Sequence, residues 1–337
     1  MQKTLTVLTI LVLSICYYAQ PALTADQAQN AGHVLLDPNL PIYHPLAKLE
    51  GELKLGGSNT LSHVAAAWSD SFEQFYPNVK ISIAITGSRK AADAVKNGET
   101  DMGLLSRTIK QDEVASFHQQ HGYVPTVLTP CLERTAVFVH KDNPIQGLTF
   151  AQVDAIYSAT RNRGASKPIR TWGELGVRGA LASQPITAHG RSHDTGSQVF
   201  FQEAIMLGGE MQKGLVAHGS NSDMLTALTK DPTGIAFAGL SYSNPAVKAV
   251  PLAFAEGEQF VPIDSLAADH GMYPLVRRLQ LIVNHSPKKS LRPIEREFIK
   301  YAFSRQGQED VVKAGFQAIP APPARVALDA VGLGIAR

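Results

Sequence analysis

Residues 190–202 read GRSHDTGSQVFFQ and join a predicted strand to a predicted helix. The β-prone residues at 186–188 are typical of a short strand, and the apolar run after the TGS triplet is typical of a helix. The triplet therefore lies at the amino end of the helix, where backbone N–H groups lack intrahelical partners and the dipole is positive. Arg191 adds a planar charged donor suited to an oxyanion. The segment predicts an anion site, although a capped helix beside a solvated arginine would have the same sequence.

Three other segments place small polar residues where a predicted strand ends. Glycine with serine or threonine follows a strand at 56–60 and again at 86–88, and each group precedes a predicted helix. A further strand, near 101–105, ends in Ser106 and Arg107. Because the carboxyl ends of parallel strands meet at one edge of an α/β sheet, we expect these segments to form one pocket. The repetition favours a shared anion pocket over unrelated helix caps.

The order of the predicted elements indicates an α/β protein with two lobes. Strands and helices alternate from 53 to 128, as in the βαβ units of a parallel sheet. The β-rich run at 135–140 predicts a separate strand that crosses into a second lobe, and 279–283 predicts the return. The chain of 337 residues, 44% of them hydrophobic, is long enough to bury two cores.

These patterns give a predicted division of the chain. We expect an extended lead-in at 26–50, a first lobe at 51–134 and 275–337, and a second lobe at 135–274. The proline- and alanine-rich tail from Ile319 is predicted either to wrap over the surface or to be loose.

The N-terminal segment indicates export. Lys3 precedes an apolar run at 5–16, and the small residues before position 26 predict a signal peptide, 1–25, cleaved after Ala25. The competing interpretation, a membrane anchor, is disfavoured because about 12 apolar residues are too few to span a bilayer. We therefore expect a mature protein that is soluble in the periplasm or secreted.

The two cysteines support no intramolecular disulfide in the mature chain. Cys16 lies in the predicted signal peptide, and bulky Ile15 before it disfavours lipidation of this cysteine. Cys131 would then be the remaining cysteine, and we expect it to be a buried free thiol.

Several sequence elements together resemble the phosphate-binding, PstS-like receptors of ABC transporters, a type 2 periplasmic binding protein family. The resemblance covers about 53–318. The elements that carry it are GSNT at 57–60, TGS at 86–88, D-x-G-x-x-S-R at 101–107, DNP-x-x-G-L-T at 142–149, TWGELG at 171–176, R-x-x-x-T-G-S at 191–197 and YPLVRRL at 273–279.

The resemblance implies two α/β lobes around a cleft, joined by a two-strand hinge, and a receptor that binds inorganic phosphate for an ABC-type uptake system. It implies no catalytic residues, no metal and no cofactor, a monomer, and a membrane permease as partner. The predicted phosphate ligands are Ser58, Thr60, Leu61, Ser88 and Arg107 from the first lobe, and Arg191, Asp194, Thr195, Gly196 and Ser197 from the second.

One departure from the family pattern concerns the second lobe. His193 stands where other members have an aspartate, and Asp194 follows one position later. Asp194 is the best local candidate to accept the proton of phosphate, although it could instead cap the helix. Sulfate, molybdate or a phosphonate therefore remains an alternative ligand, and a phosphate sensor or scavenger an alternative task.

Other functional classes find less support in the sequence. A net charge of +2 with 18% charged residues and no long basic run disfavours nucleic-acid binding. A phosphoester hydrolase is the main rival, because 192–194 read Ser-His-Asp, but adjacent residues cannot align as a catalytic triad. The eleven histidines show no H-E-x-x-H pattern, which disfavours a metalloenzyme.

Overall fold

The computed structural model describes residues 36–192, 195–263 and 273–334. The predicted signal peptide and its cleavage site after Ala25 lie outside these residues. Across the three described ranges, no helix is both long and apolar enough to cross a membrane.

The N-terminal part of the chain alternates strands with helices, as the sequence predicted. Its elements are β1 (Gly51–Gly57), α1 (Asn59–Phe75), β2 (Val79–Ile85), α2 (Ser88–Lys96), β3 (Met102–Leu105) and α3 (Gln111–His121). β1 pairs in parallel with β2 on one side and with β3 on the other. The predicted βαβ arrangement is therefore confirmed for these three strands. It is wrong for the strand predicted near 124–128, whose residues pair antiparallel with residues 281–283.

The next strand, β4 (Thr126–His140), is longer than predicted, because the two separate strands expected near 124–128 and at 135–140 are one. The polar stretch between the two expected strands contains Glu133 and Arg134. In the structure Glu133 is paired with Arg277, and Arg134 donates to the Gln317 side chain, so the polar stretch stays in the sheet.

The middle of the chain forms the second group of elements. These are β5 (Leu148–Thr149), α4 (Phe150–Tyr157), β6 (Thr187–Arg191), α5 (Gly196–Ala204), β7 (Val216–His218), α6 (Asn221–Leu228), β8 (Gly234–Gly239), β9 (Val247–Val250) and β10 (Leu252–Ala253), with short 3-10 helices at Trp172–Leu175, Gly179–Leu181 and Leu240–Tyr242.

The chain then returns to the first group of elements. It does so through β11 (Val276–Val283), α7 (Pro293–Ala302), α8 (Arg305–Lys313), β12 (Gln317–Ala318) and α9 (Ala321–Ala330). The expectation of a loose tail is wrong, because α9 is a helix that buries Ala324 and Leu328. The Asp37 carboxylate accepts a hydrogen bond from the Ala321 N–H at 2.8 Å, which fixes the start of this helix.

The strands meet in a mixed sheet with the order β2-β1-β3-β11-β4-β8-β6-β7. β4 belongs to both halves: its first part pairs with β11, and its last part pairs with β8 and β9. β4 and β11 are thus the strands at which the two halves join.

Each half of the sheet has its own hydrophobic core. One cluster contains Trp68, Phe72 and Phe298, and its buried members come from residues before 132 and after 278. The other contains Trp172 and Phe237 and draws on residues 136–275. Full burial of one such side chain contributes about 1.5–3 kcal/mol, so both halves gain enough burial to be compact. The residue limits predicted for the two lobes and the lead-in stay a prediction.

Candidate functional site

A cavity of about 230 Å³ lies where the amino ends of four helices meet. The first turns of α1, α2, α5 and α6 contribute to its wall, next to the carboxyl ends of β1, β2, β3 and β6. Its lining residues are Ser58, Asn59, Thr60, Thr86, Gly87, Ser88, Arg89, Lys90, Ser106, Arg191, Thr195, Gly196, Ser197 and Asn221. The structure thus brings together seven of the ten predicted ligands, namely Ser58, Thr60, Ser88, Arg191, Thr195, Gly196 and Ser197.

The electrostatics of the wall favour a negative ligand. Acidic residues stabilise the first turn of a helix, yet three of the four lining helices, α1, α2 and α5, carry none there. The fourth, α6, carries Asp223, and α3, which does not line the cavity, carries Asp112 and Glu113. Among the described lining residues Arg89, Lys90 and Arg191 are basic and none is acidic. Helix dipoles and side chains therefore give this cavity a positive potential.

The turn between β1 and α1 requires a glycine and a serine. Gly57 has a φ of 133°, and a Cβ there would come within 2.3 Å of the Leu104 carbonyl oxygen. The Ser58 Oγ caps α1 by accepting from the N–H groups of Thr60 at 3.1 Å and Leu61 at 3.3 Å. The Ser58 hydroxyl hydrogen remains available to donate to another acceptor.

Leu61 is not brought into the cavity wall, although the sequence predicted it as a ligand. Its side chain belongs to the first hydrophobic core, and its N–H donates to the Ser58 cap. A contact through this N–H would have to share the hydrogen bond with Ser58.

Arg107 also lies behind the cavity rather than in its lining. Its guanidinium forms two hydrogen bonds to the Glu113 carboxylate, at 2.6 and 2.9 Å, and donates to the Ser88 carbonyl oxygen at 3.2 Å. The side chain is 7% exposed. A buried arginine paired with a carboxylate in this way holds the start of α2 in place.

Arg191 is the buried basic side chain of the lining. It ends β6 and is 7% exposed; its Nη1 donates to the His218 carbonyl oxygen at 3.3 Å, and its buried Nε has no partner among the described residues. Burial lowers the pKa of Arg191, and the positive charge of Arg277 acts in the same direction. Tyr242 and Asp223 oppose this lowering, but no carboxylate among the described residues forms an ion pair with the Arg191 guanidinium, and a bound anion would pair with it.

Two cavity hydroxyls from the first half of the molecule, those of Ser88 and Ser106, lie next to each other in the cavity wall. The Ser106 N–H donates to the Ser88 Oγ at 3.1 Å, and the two hydroxyl oxygens lie 3.1 Å apart. Gly196, at the start of α5, packs directly against Ser106. The amino ends of α2 and α5 therefore approach the same small volume.

Asp194 and its neighbour His193 lie outside the described residues, so the role predicted for Asp194 stays a prediction. Nearby, His189 lies between the Asp231 carboxylate and the His218 ring, 3.0 Å from each. This imidazole is therefore engaged by two side chains that are not part of the cavity lining.

Sequence reasoning missed seven lining residues. Four of them, Asn59, Thr86, Gly87 and Ser106, lie inside the motifs that predicted the pocket. Arg89 and Lys90 directly follow the TGS motif at 86–88, so the sequence motifs already marked this part of the wall. Asn221 is the first residue of α6, after the Ser220 cap. Its position in the first turn of a helix is the one sequence feature that could have identified it as a lining residue.

Arg277 and Glu133 are the buried charged pair that sequence reasoning did not single out. They come from the neighbouring strands β11 and β4, and each is 3% exposed or less. Arg277 also donates to the Thr60 and Ser197 hydroxyl oxygens at 3.3 and 3.2 Å. It therefore supports lining residues from both halves of the molecule.

Comparison with known proteins agrees with this geometry. Residues 25–306 match the family model described as the PBP superfamily domain. The phosphate-binding protein PstS of Pseudomonas aeruginosa is 38% identical to this chain over 298 residues, which cover 88% of this chain and 92% of that protein. Protein SphX of Synechococcus elongatus is 24% identical to this chain over 268 residues, which cover 79% of this chain and 77% of that protein.

Solved structures share the fold. A phosphate ABC-transporter substrate-binding protein assigned in Clostridium perfringens, solved with bound phosphate, has a TM-score of 0.64 at 23% identity and covers 80% of this chain and 100% of its own. An ABC-type phosphate transport receptor of Vibrio cholerae has a TM-score of 0.63 at 20% identity, and the match covers 79% of this chain and 100% of that receptor. The two-lobed fold that the sequence resemblance implied is confirmed.

Proposed function

Because the chain belongs to the PBP superfamily, we propose that it binds inorganic phosphate in this cavity as the extracytoplasmic receptor of an ABC-type uptake system. The observation that carries the proposal is the meeting of four helix amino ends around the buried Arg191, whose Nε has no partner among the described residues. The relatives named phosphate-binding protein PstS support the choice of ligand.

The size of the cavity supports a small ligand. A volume of about 230 Å³ is below the range of roughly 300–1,000 Å³ that is usual for sites of drug-sized molecules. Hydroxyl and N–H groups around a tetrahedral oxyanion can each donate one charge-assisted hydrogen bond, worth about 1.5–3 kcal/mol. Several such bonds, after ordering costs, are sufficient for a micromolar or tighter complex.

In this proposal the ligand contacts come from both lobes. The first lobe (51–134 and 275–337) contributes Ser58, Thr60 and Ser88 as phosphate ligands. The second lobe (135–274) contributes Arg191 and residues 194–197. Arg107 acts indirectly, since it holds the Ser88 end of α2. The cleft opens and closes about β4 and β11.

The wider biological role is part of the same proposal. The protein is exported after cleavage at Ala25, functions as a monomer without cofactor, and passes phosphate to a membrane permease. It binds its ligand and does not turn it over. That the relatives are named as binding proteins supports this view.

Isothermal titration calorimetry of the mature chain, residues 26–337, with orthophosphate tests the proposal. We expect one phosphate per chain; no heat of binding at millimolar phosphate would contradict the proposal. Sulfate, molybdate and a phosphonate, titrated in parallel, identify another oxyanion as the ligand if one of them binds more tightly. Release of phosphate from phosphomonoesters at a rate that Arg191→Ala abolishes would instead indicate a hydrolase.

A further inference from the structure

Arg277 contacts the cavity wall without lining the cavity. Its Nη2 donates to the Thr60 Oγ1 at 3.3 Å and to the Ser197 Oγ at 3.2 Å, and its Nη1 donates to the Ser106 carbonyl oxygen at 3.0 Å. The Glu133 carboxylate accepts a hydrogen bond from its Nε. All three acceptors in the wall belong to residues that line the cavity.

These contacts fix the direction of the hydroxyl hydrogen bonds. A guanidinium has only donors, so the oxygens of Thr60 and Ser197 must accept from Arg277. The Ser197 Oγ also accepts from the Asn221 Nδ2 at 3.5 Å. With both lone pairs engaged, the Ser197 hydroxyl has only its hydrogen left for a ligand. The Thr60 oxygen accepts one hydrogen bond, from Arg277, and this favours a Thr60 hydroxyl that donates its hydrogen to the ligand.

On the premise of the proposed function, we propose that Arg277 is a positioning residue that selects the protonation state of the bound phosphate. Hydroxyls held as donors match the lone pairs of the dianion. The monoanion carries a second P–OH group, which would point its hydrogen at another donor hydrogen. A donor facing a donor leaves a buried polar group unpaired, so the wall discriminates against the monoanion.

Charged and titratable groups from neighbouring elements surround Arg277. It faces Glu133 from β4, Arg191 from β6 and the Tyr242 hydroxyl, and Asp223 from α6 lies near Arg191. Burial raises the pKa of Tyr242, so this phenol remains neutral. Arginine itself stays charged throughout the accessible pH range. Among the described residues, Glu133 is the carboxylate that pairs directly with Arg277, and the experiment must control for it.

The test compares phosphate affinity at pH values below and above the second pKa of phosphate, by calorimetry on the full mature chain. If only the dianion binds, the affinity of the wild type for total phosphate falls about tenfold per pH unit below that pKa. The test variant is Glu133→Gln with Arg277→Gln. It removes one negative and one positive charge, so the net charge at the cavity is unchanged and no buried charge is left unpaired.

In this double variant the Thr60 and Ser197 hydroxyls can rotate and accept a hydrogen bond, because a glutamine amide can donate or accept. We expect the loss of affinity to flatten to about threefold or less per pH unit. Arg278→Gln is the control for the arginine substitution: it replaces the exposed neighbouring arginine by glutamine and should keep the wild-type slope.

The outcomes separate the inference from the proposed function. A double variant that binds phosphate with the wild-type slope overturns the role of Arg277 while leaving phosphate binding intact. A wild type that binds phosphate equally well below and above the second pKa also overturns it. A wild type that binds no phosphate at any pH contradicts the proposed function and, with it, this inference.

Discussion

Gly196 lies so close to Ser106 that a Cβ added to the glycine would come within 2.1 Å of the Ser106 Oγ. The first residue belongs to the amino end of α5 and the second follows β3, so this contact joins the two halves of the molecule. Only a residue without a side chain permits so close an approach. The contact therefore explains why the TGS triplet has glycine at its middle position.

Gly196→Ala should weaken phosphate binding by preventing this approach. Overpacking typically costs about 1–3 kcal/mol, which corresponds to a loss of affinity of roughly 5- to 150-fold. Gly214→Ala is the control, because the nearest atom to its added Cβ, in Gln212, lies at 3.9 Å. Calorimetry measures both variants. Equal affinities for Gly196→Ala and the wild type would show that the closed contact is not needed for binding.

Arg191→Ala should weaken binding far more than Lys90→Ala, although both residues line the cavity. Arg191 is buried and would face the ligand without solvent, so its removal costs about 3–5 kcal/mol. Lys90 is exposed, and removal of its screened charge costs under about 1 kcal/mol. Arg191→Lys keeps the positive charge but removes the planar guanidinium, so its affinity shows how much the donor geometry contributes. Similar losses in the two alanine variants would mean that the ligand lies at the mouth of the cavity.

Phosphate should close the cleft, since the proposed donors come from both lobes. Small-angle scattering of the wild type is expected to show a smaller radius of gyration with phosphate than without it. Arg191→Ala at the same phosphate concentration serves as the unliganded control. A wild-type profile that does not change at saturation would indicate a cleft that is closed before the ligand binds.

Asp194→Asn should reduce the preference for phosphate over sulfate. A carboxylate can accept the proton that phosphate carries, but it meets a lone pair on sulfate, a mismatch of about 1–3 kcal/mol. We expect the wild type to prefer phosphate by roughly tenfold to a hundredfold, and Asp194→Asn to narrow this ratio. Competition titrations of phosphate against sulfate measure this ratio for the wild type, Asp194→Asn and, as a comparison, His193→Ala. Undiminished discrimination with a lower melting temperature would assign Asp194 to the helix cap instead.

Acidification should destabilise the protein in part through His218. Burial lowers the pKa of the His218 imidazole; His189 and Arg191 act in the same direction, and Asp223 opposes them. The unfolded chain then binds the proton more readily than the folded one, so stability falls as pH drops below the ordinary histidine value of about 6.5.

We expect His218→Asn to flatten the decline of Tm with falling pH, measured by circular dichroism. His44→Asn, at an exposed histidine, should keep the wild-type slope. Parallel slopes for wild type and His218→Asn would show that this imidazole does not contribute.

The sequence by itself determined the local elements and the edge of the sheet that carries the site. Periodicity and capping act over a few residues, so the strand-turn-helix segments ending in Ser88 and preceding Gly196 could be recognised without a structure. The anion site followed because each segment has the same chemistry at its helix start. The extra strands β7 and β9 were missed, since runs of three or four residues carry little periodic signal.

Tertiary structure alone decided which side chains the cavity uses and which it does not. Arg107 turns to Glu113, and α9 forms because the first core covers its alanines. Arg277 reaches Thr60 across 217 positions and Ser197 across 80. Hydrogen bonds between such distant residues depend on the register of β11 against β4. That register is set by packing of the whole sheet, and no local pattern in the chain encodes it.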